Sequence, residues 1–595
     1  MQMDYFTFNM NLHISSVPLP IVFVAFQAVT QLTGIPLHAQ ARPADLYGVA
    51  RLHGTPISEA NVVVRSLKDD TARVVLSGVD GSFRITDLSP GRYELTARKG
   101  GSGAASPTTV ELAEEQSLNV DLMLNPYPDT AAAGGASSAV VPVMAEPAPR
   151  NFFGRFFKAY ADDWKGSADD GPEPKYRGDA PPVSGPPFPF SVWPYGGSVV
   201  IGQPFTQSGP LMTAIWGGSN GDRWKKSGVQ IYGWLNAGAN ISTSNGGGYA
   251  NFPESYAERR GFELDQEVLY VERQPDTVQR DHLDWGFRVS ALYGLDYRFT
   301  TSNGFFSNQL LGKNRENGFD APMFYADLYV PQVAQGMDIR VGRYISLPDI
   351  EAQLAPNNYT YSHSLTYTFD CYTQLGANAT IKLSGHWLFQ AGLSPGCDTM
   401  PWTSSAKVTA NFCLGYTWNK GGDNLYGCDN SLNDGHYAYN NLQAFYLTWY
   451  HKYGEHSNWH SATETWYQYE SRTPNVNNPA AQPLLINGAN GAACKTVDQV
   501  TCFAPDYAIV NYQEYQASKH DYLSIRNEFF DDFVGQRTGF KTRYSEHMVG
   551  WGHWVGTSLL FRPEVRFERA YDAPAYNNGT RKNQLTLASD VILFF

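Results

Sequence analysis

From residue 191 to the end, the chain alternates apolar and polar residues in short runs, the period of a strand whose two faces meet different surroundings. The longest such run is WGFRVSALYGLDYRFT. Trp285, Phe287, Val289, Ala291, Tyr293, Leu295, Tyr297 and Phe299 fall on one face, opposite Arg288, Ser290, Gly294, Asp296 and Arg298. Rings lie towards both ends of the apolar face and aliphatics near its middle. A lipid-facing strand needs that order, because amphipathic rings prefer the two interfaces. FRPEVRFER repeats the pattern: Phe561, Pro563, Val565 and Phe567 oppose Arg562, Glu564, Arg566 and Glu568. Four charges on one face suit the wall of a water-filled lumen. PMFYADLYVP places Phe324, Ala326, Leu328 and Val330 outward in the same way.

The final stretch, QLTLASDVILFF, places Leu585, Leu587, Val591, Leu593 and Phe595 on one face and Gln584, Thr586 and Asp590 on the other. It is predicted to be the closing strand, paired with the first so that no edge stays open. Val591, Leu593 and Phe595 also form the terminal pattern expected of a signal for the outer-membrane insertion machinery. LSGH, NKGGDN, SKHD and VGTS are short turns, whereas 473–506 is a long polar loop. At about 10 residues per strand plus turns, residues 191–595 make about 14 to 18 strands, with about 16 expected. The predicted fold is all-β: a large antiparallel transmembrane β-barrel preceded by a small β-sandwich.

Ahead of the barrel, residues 42–125 carry short strands separated by HGTP, VDGS and SPGR, the rhythm of that sandwich. Residues 126–190 are rich in Pro, Ala, Gly and Ser and read as a linker. One island, NFFGRFFKAYADDW (151–164), repeats Phe152, Phe156, Tyr160 and Trp164 every fourth position, as an amphipathic helix does. A bilayer surface, the barrel mouth and a neighbouring domain all remain open as its docking site. Residues 1–41 read as an export signal ending in Ala39-Gln40-Ala41, with an atypical start that has no Lys or Arg before Arg42. Past it, no apolar run is long enough for a spanning helix.

Composition supports this picture. Aromatic residues are 14% of the chain and charged residues 17%, a balance that favours pleated surfaces. The net charge of -13 excludes nucleic acid as a partner. All six cysteines lie between 371 and 502. In an exported chain they are disulfide candidates, with Cys371 and Cys397, Cys413 and Cys428, and Cys494 and Cys502 flanking turn-like stretches. Other connectivities stay open. No C-x-x-C spacing supports zinc, and His451, His456 and His460 lie among Tyr450, Tyr453 and Trp459 as at a turn with girdle aromatics. No metal is expected. Nor is any cofactor or enzymatic activity, since no nucleophile elbow, H-E-x-x-H or phosphate loop occurs.

Several phrases carry a resemblance: SVWPYGGSVVIG, LSPGCDTMPW, GGDNLYGCDNSLNDG, SRTPNVNNP, SKHDYLSIRNEFFDDFVGQRTGFKTRYSEH and FRPEVRFERAYDAPAY. Residues 191–595 resemble the OmpL-like β-barrel porin family of Gram-negative outer membranes. The resemblance implies passive diffusion of small hydrophilic solutes or ions. Its partners would be outer-membrane lipid and the insertion machinery; whether it forms a homo-oligomer is left open. The sandwich resembles the carboxypeptidase regulatory-like family at Gly48, Gly54, Pro56, Ala60, Val62, Asp80, Gly81, Phe83, Leu88, Pro90, Gly91 and Tyr93. That implies a periplasmic accessory or carbohydrate-binding-like module.

The residues expected to matter are charges facing the lumen. MDIRVGRYISLPDIEAQLAPNNY sends Asp338 and Arg340 inward, breaks at Gly342 and continues as a loop with Asp349 and Glu351. Folded into the channel opposite Arg288, Arg298, Arg562 and Arg566, that loop would make a constriction with a transverse field. Two rival readings are a TonB-dependent-like active transporter, for which the Pro-rich segment is too short to be a plug, and a sugar-binding outer-membrane protein.

Overall fold

The computed structural model of the protein describes residues 44–126 apart from 53, 59, 69, 70, 79, 100–102, 114 and 115. It further describes 151–165, 177, 200–203, 209–244 and 261–595 apart from 455, 456 and 487–490. The expected export signal, most of the expected linker and His456 lie outside the described residues. The chain divides into two units, Met1–Met144 and Ala145–Phe595.

In the first unit ten short strands follow the turn signals: β1 Ala44–Leu52, β2 Thr55–Pro56, β3 Asn61–Ser66, β4 Ala72–Leu76 and β5 Ser82–Leu88. Then come β6 Gly91–Lys99, β7 Gly103–Ala105, β8 Thr108–Leu112, β9 Ser117–Asn119 and β10 Leu122–Pro126. β1 is shared between two ladders: Leu46 to Val49 pair antiparallel with β5, and Ala50 to Leu52 pair parallel with β10. Leu46, Val62, Leu95 and Leu122 meet in one core.

The second unit holds helix α1 (Phe152–Trp164), two short helices, α2 (Pro210–Trp216) and α3 (Gly221–Ser227), and then the barrel. Its first strand begins at Gln230, not 191, because Pro210 starts a helical turn and Gly228, at φ +67°, ends the second helix. The strands are β11 Gln230–Ser242, β12 Gly261–Arg273, β13 Asp284–Gly294, β14 Gly318–Asp320, β15 Phe324–Val330 and β16 Met337–Ile345. β17 Thr373–Lys382, β18 Trp387–Ser394, β19 Thr409–Trp418, β20 Asp423–Leu432, β21 Gln443–Lys452 and β22 Trp459–Pro474 follow. The last are β23 Thr501–Gln516, β24 Asp521–Asp532, β25 Thr542–Val555, β26 Leu559–Ala570 and β27 Asn583–Phe594. Apart from β14, each pairs antiparallel with the next, and β14 and β15 both pair with β13 as successive pieces of one stave. The closed barrel therefore has 16 staves.

Alternation decides what each face meets. Leu414, Leu447, Val549, Val565 and Leu587, on five strands, are 45–50% exposed, while their sequence neighbours point inward and are buried. An apolar band of that extent is untenable in water and fits lipid. Trp285, Trp387, Trp449 and Trp551 are also exposed, each a few residues from a short turn, and so ring one rim. LSGH, NKGGDN, SKHD and VGTS close the β17–β18, β19–β20, β23–β24 and β25–β26 hairpins at that rim. Among the described residues no helix is long and apolar enough to cross a membrane.

Two expectations about glycine are corrected. The strand expected over 285–299 ends at Gly294 (φ +140°), and Leu295–Phe299 turns inward as a 3-10 helix with Leu295, Tyr297 and Phe299 buried. A side chain at Gly294 would meet the backbone oxygen of Asp265 at 2.2 Å, so the chain can pass there only as glycine. Conversely β16 does not break at Gly342. It runs on to Ile345, and the glycine allows close approach to the Phe324 carbonyl oxygen.

Helix α1 docks on the short-turn rim. The Tyr160 hydroxyl donates to the Phe594 carbonyl and the Trp164 indole N–H to Ser558 Oγ at 3.0 Å. The Asp163 carboxylate accepts from the backbone N–H groups of Thr557 at 2.9 Å and Ser558 at 3.1 Å. Phe153 and Phe157 stay exposed.

The barrel closes where β27 pairs with β11, from Trp234 opposite Phe594 to Ser242 opposite Thr586. Phe595 N–H donates to the Gly233 carbonyl at 2.9 Å, and Gly233 N–H donates to the Phe595 carbonyl at 3.2 Å. Deleting Phe595 removes both bonds, and a loss of about 1–3 kcal/mol is expected. Urea unfolding of the folded barrel in detergent measures it; an unchanged midpoint would show that the seam does not rely on this pair.

The loop-filled barrel interior as candidate functional site

The chain between β16 and β17, residues 346–372, folds into the barrel. Because this segment holds only a 3-10 turn at Ala355–Asn357 and one helical turn, α4 (Leu365–Thr368), its backbone groups need partners from the wall. Alternation supplies them, since every second residue of the facing strands is polar and points inward.

Arg526 on β24 donates Nε to Glu546 at 2.8 Å, Nη1 to the Ser362 carbonyl at 2.6 Å and Nη2 to Ser362 Oγ at 2.8 Å. Arg562 holds Asp590 at 2.9 Å and gives Nη1 to the carbonyls of Ala355 and Asn358 at 2.9 and 2.7 Å. Arg566 pairs with Glu568 at 2.9 Å and Glu546 at 3.1 Å, and donates to the His363 carbonyl. Wall carboxylates take the loop's N–H groups: Glu564 accepts from Tyr361 and Ser362 at 3.0 and 3.1 Å. Glu528 accepts from Leu365 and Thr366, and Glu464 from Ile350 at 3.0 Å. A bulge in the β11–β12 ladder turns Asp265 and Gln266 inward together. Gln266 then binds the Gln353 carbonyl and the Ala355 N–H.

The loop acids fare differently. Glu351 accepts the Ser364 N–H at 3.1 Å and the Tyr512 hydroxyl, with His363 Nδ1 3.5 Å and Arg526 Nη1 3.6 Å away. Burial pushes its carboxyl up, but the His363 ring, Arg526 and Tyr512 outweigh that and hold it at about 2. Asp349 goes the other way: burial, then the neighbouring Glu464 and Asp370 carboxylates, raise it well above the usual range. Asp349 and Glu351 do lie inside the barrel.

The transverse field expected across a water-filled lumen is not what the geometry holds. Every inward position of β26 from Leu560 to Ala570 is buried, and the side chains of Arg526 and Arg566 are fully shielded from solvent. The loop acids do not face free arginines at Arg288, Arg562 and Arg566, because each of these is already matched by a wall carboxylate. Arg288 pairs with Glu272 at 2.6 Å, and Arg340 forks onto Asp327 at 2.8 and 3.0 Å beside the inward Asp338. Asp296 and Arg298 are buried residues of the inturned 3-10 segment, not strand residues; Asp296 accepts from Gln266 and Arg298 donates to the Leu295 carbonyl. Asp590 is inward as the alternation of the last strand predicts, whereas sequence reasoning missed Arg526, Glu528 and Glu546, which the same alternation marks as inward. It also missed Arg343, which pairs with Asp320 at 2.9 Å.

Disulfides fasten the surroundings. Cys371 joins Cys397 at the end of the loop, Cys413 joins Cys428 across β19 and β20, and Cys494 joins Cys502 within the long polar loop region. His451 and His460 do not converge on a common ligand position: His451 bonds Asp423 at 2.6 Å, and His460 bonds the Tyr359 hydroxyl at 2.9 Å.

A closed, lipid-faced antiparallel barrel with a polar interior and a loop folded into it is a porin-type outer-membrane barrel. The family model described as "Putative beta-barrel porin-2, OmpL-like" matches residues 228–595, and the chain belongs to that family. A carboxypeptidase regulatory-like domain model matches 49–125. No curated protein matches the chain by sequence. Solved structures similar to it include the anion-selective porin from Comamonas acidovorans (9% identity, 62% of this chain and 99% of that one, TM-score 0.39). The outer membrane channel DcaP of Acinetobacter baumannii is similar at 8% identity, with 62% and 97% covered and a TM-score of 0.38. OmpF of Salmonella typhi, in complex with daunomycin, stands at 10%, 62%, 97% and 0.38. Likenesses at these scores carry no functional weight.

Arg526 is the most heavily committed side chain of the interior. Replacing it with Leu leaves Glu546 to Arg566 alone and Glu351 to His363 alone, and takes the donors from the Ser362 carbonyl and hydroxyl; a loss of about 3–5 kcal/mol is expected. Denaturant unfolding of the folded barrel measures this, with Arg526→Lys expected to recover only part because it lacks the fork.

Proposed function

We propose that the protein is an outer-membrane pore of restricted bore, passing small hydrophilic solutes or ions by passive diffusion. Loop 346–372 is its constriction. The observation that carries this reading is the loop itself, a long irregular segment held inside a lipid-faced barrel by charged wall residues. Irregular backbone persists at membrane depth only where protein or an aqueous cavity shelters it. Membership of a porin family supports the same reading.

The buried interior narrows it. Matched charges leave no ring of free arginines, so selectivity falls to the width left beside the loop rather than to a strong fixed field. The pore-lining candidates of the sequence, from Arg288 and Asp338 to Glu568, act on this reading as anchors and wall charges. The short-turn rim with α1 is the periplasmic side, and the regulatory-like sandwich is a periplasmic accessory module. Val591, Leu593 and Phe595 serve as the insertion signal.

One observation favours a second reading. The packed interior also suits a closed barrel that binds a ligand, such as a sugar, without conducting. Planar-bilayer recordings of the purified protein separate the two. Stable ohmic openings are expected from the wild type, with larger or more frequent openings from Glu528→Gln/Glu564→Gln, which loosens two anchors of the loop. Silence from both proteins would sink the pore.

A further inference from the structure

Three carboxylates meet behind the inward loop: Asp349 near its start, Asp370 near its end, and Glu464 on the wall strand β22. One oxygen of each lies within 4.8 Å of those of the other two. All three residues are deeply buried, at 7%, 2% and 1% exposure.

The way each carboxylate is used points to something between them. One oxygen of every member is occupied by protein. Asp349 Oδ1 accepts the Glu351 N–H at 2.9 Å, and Asp370 Oδ1 accepts the Cys371 N–H at 2.6 Å and the Tyr446 hydroxyl. Glu464 Oε2 accepts the Ile350 N–H at 3.0 Å. The other oxygen of every member, Asp349 Oδ2, Asp370 Oδ2 and Glu464 Oε1, is buried and has no hydrogen-bond partner. Four other acids of this interior, Glu546, Glu568, Asp590 and Asp327, each have an arginine within about salt-bridge range; Asp265, Asp506 and Glu514 also keep one buried oxygen without a partner, but among the described residues only Asp349, Asp370 and Glu464 converge on one point. No Lys, Arg or His nitrogen is within salt-bridge range of Asp349, Asp370 or Glu464 among the described residues. Three buried like charges with three idle oxygens are costly unless a cation or protons neutralise them.

We propose that Asp349, Asp370 and Glu464 bind a hard divalent cation of the calcium–magnesium class. Such ions take carboxylate oxygens and accept further oxygens from backbone carbonyls or water. The ion ties both ends of the loop to the wall, so it acts as a staple for the loop's position. Asp370 is followed at once by the Cys371–Cys397 disulfide, so the staple and the covalent bridge fasten the same end. Binding does not depend on whether the barrel conducts, so the site stands or falls separately from the pore.

The test uses the full-length protein, folded in detergent and stripped with EDTA. Calorimetric titration with calcium chloride and with magnesium chloride is expected to show one site per chain for at least one of the two ions. Saturating that ion should raise the thermal unfolding temperature. Glu464→Gln is expected to weaken binding by at least about tenfold and to abolish the thermal shift. In the absence of metal it should unfold no earlier than the stripped wild type, since it removes one of three repelling charges. Asp349→Asn, made separately, guards against a folding defect peculiar to one variant. No binding by the wild type overturns the proposal. So does an equal affinity in both variants, which would place the ions on the outer surface. Stabilisation by acid alone, with no metal response, overturns it too and assigns the charge to shared protons.

Discussion

Much of this barrel depends on a single requirement: the backbone of residues 346–372 must find hydrogen-bond partners without joining a sheet. The segment supplies few of its own. Its carbonyls at Ala355, Asn358, Ser362 and His363 are therefore met by guanidinium groups of Arg562, Arg526 and Arg566. Its amides at Ile350, Tyr361, Ser362 and Leu365 are met by carboxylates of Glu464, Glu564 and Glu528. Wall cations serve oxygens and wall anions serve N–H groups. A wall of one sign could satisfy only half of the loop, which accounts for the mixed charge on the inner faces of β24 and β26.

That division also limits what the interior charges can do. An arginine whose fork is split between a wall carboxylate and a loop carbonyl has little field left to offer a passing ion. In a low-dielectric interior, the pairs at Arg526–Glu546 and Arg562–Asp590 are structural before they are electrostatic. Their value lies in specificity of position: moving the loop would leave several buried charges partly unmatched at once. The loop is thus held in one place by many modest bonds acting together.

The alternation of single strands made the barrel legible. Parity along β26 and β27 placed Arg562, Glu564, Arg566, Glu568 and Asp590 inward, and the lipid face outward, from residue order alone. The same parity contained Arg526, Glu528 and Glu546, had it been followed through every strand. Parity fails where the ladder is irregular. The bulge that turns Asp265 and Gln266 to the same side, and the inward bend at Gly294, depend on contacts distant in sequence. Glycine proved ambiguous for the same reason, ending one strand at 294 and permitting close packing in another at 342. The loop's presence inside was foreseeable from its acids, but the pairing that neutralises the arginines was not. Which partner each charge selects is set by three-dimensional proximity.

The grip of Asp163 on the turn at Thr557 and Ser558 links positions 394 residues apart. The turn's donor geometry exists only once β25 and β26 have met. Contacts of such sequence separation close late, after nearer pairings have formed. Helix α1 can therefore take up these contacts only after the last hairpins have formed. A chain arrested with its last hairpins unformed would have no donors for Asp163, and would leave Tyr160, buried in the finished barrel, open to solvent.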